Sequence, residues 1–265
     1  MLLQIECNFK NMWYIMVLMV IASFMFSATG ITSPTYISPT VNTQLLLHRK
    51  VISVMNVTHL FALLTSLMVC SFPLLMEFQS HVDFHLTQPF KRSEYAIALW
   101  SSTIIPSISS SMIIPLILSA LVISPSYSLT LIPCMLVHLL SLMLFLTQVY
   151  SIALMIICAF SLRRSSGLIF AIIGFILMGI AYSVDTPYLK YLTGPELVDA
   201  IKYLIFSLIP SIITASTLYA KIMGVYYYSE VLMESILQII ATQVFFTSIL
   251  MVASISIFDR FYEVK

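Results

Sequence analysis

Long apolar runs with no acidic residue in their interiors decide most of what this chain can become. The eleven carboxylates stand at positions 6, 77, 83, 94, 185, 196, 199, 230, 234, 259 and 263, all in connections or near the ends of the runs. As a helix, about 20 apolar residues are long enough to cross a bilayer, and a charge at its centre costs several kcal/mol. The chain is 60% hydrophobic and 9% charged, against about 25% charged residues in soluble domains. The pattern predicts an all-α integral membrane protein. Its six transmembrane helices are expected over residues 12–30, 51–76, 95–123, 131–162, 167–184 and 231–258.

The first run starts with Trp13 and Tyr14, where an interfacial aromatic belt belongs, and reads as an uncleaved span. The sequon at Asn56 and Thr58 falls at a membrane edge and is taken as accidental. Pro106 and Pro115 in the third run free backbone carbonyls, and Ser107–Ser111 supplies hydroxyls beside them, so a kinked span packed against protein is expected. Gly174 and Gly179 in the fifth run suit close helix approach. Residues 185–202 read as a polar, turn-rich connection. Residues 203–222 are apolar, short and broken by Pro210, so they form either a seventh span or a re-entrant or interfacial hairpin before the last span.

Charge, histidine, proline and aromatic residues cluster tightly only in His81–Trp100. The expectation is an amphipathic helix over Glu77–Leu86, a turn at Pro89, and the basic pair Lys91 and Arg92. Ser93 is placed to cap a new helix, with Glu94 in its first turn. A polar segment between two spans, ending in a basic pair, has the character of a cytoplasmic loop contacted by a partner.

Within it, LTQPFKRSEY (Leu86–Tyr95) resembles the L-T-x-P-[hydrophobic]-[S/K]-R-x-E-[Y/apolar] segment of ABC-2-type permeases. These are the membrane subunits of one class of ABC exporter, in which the segment follows the second span, opens the third and touches the ATP-binding subunit. The resemblance implies a single transmembrane permease domain over residues 1–265, with short re-entrant helices between the fifth and sixth spans. It further implies a homodimer or a pair with a similar permease, alternating access driven by a cytoplasmic ATP-binding cassette subunit, and no cofactor of its own. Carried onto this sequence, the ATPase-docking residues are Glu77, His81, Asp83, His85, Pro89, Phe90, Lys91, Arg92, Glu94 and Tyr95.

Six spans put both termini in the cytoplasm of a multi-pass cell-membrane protein. The inner side then carries seven of the twelve Lys and Arg residues, including both pairs, Lys91-Arg92 and Arg163-Arg164.

Several chemistries are excluded or weighed. The chain has no HExxH and no phosphate-binding glycine loop, so it is not expected to be an enzyme. The lack of intramembrane carboxylates argues against proton-coupled transport. Cys7, Cys70, Cys134 and Cys158 form no CxxC pair and read as small hydrophobes. His59 and His138 fall in different spans, a pairing open to a b-type haem, although a packed histidine is the simpler reading. His81, Asp83 and His85 are spaced for a surface metal or for the polar face of an interfacial helix. The alternative to a permease is therefore a non-transporting structural or electron-carrying subunit of a larger membrane complex.

Overall fold

The computed structural model describes residues 62–78, 91–105, 128–183, 195–210 and 235–261, with residues 17, 21, 60, 108, 217, 218 and 220–222. Among the described residues there is no strand. The helices are α1 (Ala62–Phe78), α2 (92–105), α3 (Ser128–Phe160), α4 (Ser166–Ser183), α5 (Pro195–Leu208) and α6 (Ile236–Phe261). Among the described residues, three helices are long and apolar enough to cross a membrane: Leu136–Phe160, Arg163–Ala181 and Ile236–Arg260.

α3 is the axis of the bundle. Its sequence is apolar on every face, the signature of a helix surrounded by others. Accordingly 67% of its most apolar stretch is buried, against 33% for α4 and 22% for α6. At 33 residues it extends about 50 Å, well beyond the ~30 Å of bilayer hydrocarbon. Leu142, Phe145, Leu146, Val149 and Tyr150 of α3 are almost wholly buried against Leu63, Leu67 and Leu74 of α1, Leu99 and Ile104 of α2, Phe170 of α4 and Phe258 of α6.

The directions of the helices follow from their cross-links. Tyr150 Oη donates to Ala96 O at 2.8 Å, and Trp100 Nε1 donates to Thr147 Oγ1 at 3.1 Å, so α2 runs against α3. Cys70 Sγ donates to Thr103 O at 3.5 Å while Glu77 pairs with Tyr95, so α1 runs against α2. Gln148 meets Thr247, and Ser151 meets Met251, so α6 runs with α3.

α3 and α4 form a tight antiparallel hairpin. Ser161, with φ 53°, occupies the left-handed region after Phe160, and Leu162 N donates to Ile157 O at 3.2 Å. That six-residue hydrogen bond and left-handed residue close the helix as a Schellman motif. A single 3-10 turn, Arg163–Ser165, leads into α4. Ser166 Oγ, fully buried, then donates to Leu74 O of α1 at 3.1 Å.

Two glycines bring α4 onto α1. A Cβ on Gly167 would collide with Ser71 O and lie 2.9 Å from Leu75 Cβ, and one on Gly174 would collide with the side chain of Leu67. Seven residues apart, they share one face of α4. The expectation for Gly174 holds, whereas Gly179 is no contact glycine, since nothing lies within 4 Å of a Cβ built there. Gly167 takes that role because it sits just above the buried start of the helix.

Other expectations shift at their edges. α5 begins at Pro195, inside the segment expected to be a polar connection. Proline suits a first helical position and Glu196 suits a first turn, a start signal outweighed in the sequence by the surrounding polarity. Glu77 is helical in α1, and residues 79–86 of the expected amphipathic helix Glu77–Leu86 lie outside the described residues. α2 starts at residue 92, with Tyr95 N donating to Lys91 O at 3.1 Å, so Ser93 lies within its first turn instead of capping it. Most of the expected span 12–30, residues 109–123 of the third span and the amphipathic segment 79–90 lie outside the described residues.

Candidate functional site

One end of the bundle gathers the charged termini. The cross-links above bring the C-terminal end of α1, the N-terminal end of α2, the α3–α4 turn and the C-terminal end of α6 to the same level. Lys91, Arg92, Arg163, Arg164 and Arg260 stand there with Glu77, Glu94 and Asp259. Among the described residues, cations outnumber carboxylates at this end. Lys91, Glu94, Asp259, Arg164 and Arg260 are exposed.

At this end α2 is fastened to α6. Arg92 Nη1 donates to Asp259 O at 3.3 Å. Asp259 lies in the last turn of α6, where carbonyls have no partner within the helix and the dipole is negative, so the guanidinium satisfies a backbone acceptor and offsets that charge. Tyr95 stacks on Phe258 with ring centroids 6.3 Å apart and 25° between planes. The Tyr95 hydroxyl donates to the Glu77 carboxylate, both residues being buried. A carboxylate out of water is costly without such a partner.

The ten expected docking residues thus divide. Lys91, Arg92 and Glu94 lie at the surface or close to it, in the first turn of α2 and the residue before it. Glu77 and Tyr95 lie behind that surface, in the packing between α1, α2 and α6. His81, Asp83, His85, Pro89 and Phe90 lie outside the described residues.

A second polar locus, absent from the sequence reading, lies at mid-bundle. α5 enters alongside α6 and stops there: Leu208 is its last residue, and Ile209 and Pro210 after it are buried. A helix ending in an apolar interior leaves carbonyls that no water reaches. Two glutamines from different helices take them. Gln148 Nε2 of α3 donates to Leu208 O at 2.9 Å and to Thr247 Oγ1 at 2.9 Å, and Gln243 Nε2 of α6 donates to Phe206 O at 2.6 Å. Ile209 N closes a further bond to Ile205 O at 2.8 Å. The buried Ser207 hydroxyl between these carbonyls has no partner among the described residues. A glutamine within an apolar run is the sequence signal that marks such a node.

His138 is buried on α3, and His59 lies outside the described residues. Among the described residues no group of three or more His, Cys, Asp or Glu side chains is placed to hold a metal ion.

Among the described residues these features define a helical bundle with three helices long and apolar enough to cross a membrane, a basic end and an amide-lined break at its centre. No family model matches the chain, and neither a curated protein nor a solved structure matches it.

Proposed function

We propose that this chain is an integral membrane protein, the permease subunit of an ABC-2-type exporter whose ATP is bound and hydrolysed by a separate chain. The observation that carries this reading is the fastening of α2 to α6. The segment resembling an ATPase-contacting loop leads directly into Arg92 and Tyr95, which grip Asp259 and Phe258 at the end of a long apolar helix. A push on Lys91–Tyr95 is thereby delivered to α6, which slides against α3 and exchanges inward- and outward-facing packings. Energy enters at the basic end, so transport needs no carboxylate in the spans. Two copies, or this chain with a similar permease, would act on a pair of ATPases closing together.

The basic end is cytoplasmic in this proposal. Six spans with both termini inside are favoured over seven by parity. α3 and α6 run one way and α4 the other, so the chain leaves α4 and enters α6 at the same, far end. A segment starting and finishing on one side crosses an even number of times. α5, which enters from that side and stops about 18 Å from the end of α3, fits a re-entrant element with no crossing.

The test is purification of the tagged chain in mild detergent, with co-eluting proteins assayed for ATP hydrolysis. The expected result is an ATP-binding subunit that is lost on Lys91→Ala with Glu94→Ala. Both side chains are exposed, so the loss is not one of folding. Elution with redox or assembly subunits and no ATPase overturns the permease reading.

A further inference from the structure

The α3–α4 turn joins two kinds of surface that rarely meet on a water-facing loop. Phe160 is 70% exposed, Leu162 43% and Leu168 62%, and between them stand exposed Arg164 and half-exposed Arg163. The left-handed Ser161 makes this juxtaposition, because it folds the chain back within one residue of Phe160. Large apolar side chains and guanidinium groups therefore lie within one turn of each other, where the long apolar faces of α3 and α4 end.

A free anion would use the arginines and leave Phe160 and Leu162 against water. An acyl chain alone would use Phe160, Leu162 and Leu168 and neither arginine. One class of partner uses both: a lipid with an anionic phosphate headgroup over an acyl chain. Guanidinium groups bind phosphate oxygens in a bidentate fork, and each basic residue at an anionic membrane surface contributes about fivefold in binding. We propose that the turn Phe160–Arg164, with Leu168 below it, is a binding site for an anionic phospholipid of the leaflet at the basic end. This rests on the reading of the chain as a membrane protein, though not on its being a permease.

The test places a reporter in the site. Phe160→Trp, in a background with Trp13→Phe and Trp100→Phe, is reconstituted in phosphatidylcholine vesicles containing brominated phosphatidylglycerol, or brominated phosphatidylcholine at the same fraction. Stronger quenching by brominated phosphatidylglycerol is expected. Arg163→Gln with Arg164→Gln should shift its half-quenching fraction about 25-fold, to the level of phosphatidylcholine. Quenching that is equal for the two lipids, or unchanged by the double substitution, overturns the site. Loss of the preference on adding millimolar inorganic phosphate overturns the lipid as occupant and leaves a plain anion site. Absence of quenching by either lipid overturns the membrane reading itself, an outcome distinct from equal quenching.

Discussion

Gln148 and Thr247, 99 positions apart in sequence, meet at 2.9 Å in the centre of the bundle. The same amide nitrogen also holds Leu208 O, so a single side chain on α3 fixes both α5 and α6. Helices in lipid gain little from hydrophobic exclusion of one another, because the lipid tails are equally apolar. In the membrane-embedded protein proposed above, packing and interhelical hydrogen bonds carry more of the association, which gives Gln148 a weight that a glutamine in a soluble core seldom has.

Gln148→Leu removes both donors while keeping the volume, and leaves Leu208 O and Thr247 Oγ1 unsatisfied. A loss of about 1–3 kcal/mol is expected, read as a fall in the unfolding temperature of the detergent-solubilised protein. Thr247→Val removes only one of the two bonds and should cost about 0.6–2 kcal/mol. Equal effects would mean that the Leu208 carbonyl finds another donor.

The glycines of α4 should separate cleanly. Gly167→Ala and Gly174→Ala put a methyl group into Ser71 O and Leu67, and each should destabilise by about 1–3 kcal/mol through overpacking. Gly179→Ala meets open space and should stabilise by up to about 1 kcal/mol through helix propensity. Thermal unfolding of the three variants side by side reads both signs in one experiment.

Ser161 sits in a conformation that glycine adopts without steric cost. Ser161→Gly is expected to stabilise the α3–α4 turn by about 0.5–1 kcal/mol, without changing which residues the turn exposes. Ser161→Val should do the reverse, since a β-branched residue there is an outlier. Proteolysis at Arg163 and Arg164 would report the difference as slower and faster cleavage.

The buried pair at the basic end is suited to a double-mutant cycle. Tyr95→Phe removes the hydroxyl from the Glu77 carboxylate and should cost about 1–3 kcal/mol. Glu77→Gln alone should cost less, because a neutral amide tolerates burial better than a carboxylate. Together the two should fall short of their sum by about 0.5–3 kcal/mol, the coupling expected of residues in contact. Strict additivity in thermal unfolding would mean that the two groups act independently.

Much of the bundle is legible from periodicity-free apolar runs, and the reason is physical: composition constrains span length before any side chain is placed. The ends of α3, α4 and α6 come within a few residues of expectation because Arg163-Arg164 and the charged tail interrupt apolar sequence sharply. α5 was hidden because Pro195, Glu196 and Lys202 read as polar connection, whereas in the fold Pro195 and Glu196 begin a helix that runs through Lys202 to the buried Phe206 and Ser207. Neither glutamine announced its partner, since the carbonyls of Phe206 and Leu208 become acceptors in need only where α5 stops. Glu77 and Tyr95 looked like surface residues for a related reason. A carboxylate next to a polar segment reads as solvated until the hydroxyl that shields it is known.

The pairing of α3 with α6 also imposes an order on how the chain comes together. Synthesis delivers α3 and α4 before α6, and the hairpin between them can close locally. The face of α3 bearing Gln148 then has no α6 to meet until the chain has grown 99 residues past Gln148, which at ordinary translation speeds is about 5–20 seconds. In the membrane-embedded protein proposed above, two polar side chains of α3 would lie against lipid during that interval. α6, made well after α3, is thus the helix that completes the centre, and a chain cut short before Ile236 would present an open polar seam for the cell to recognise.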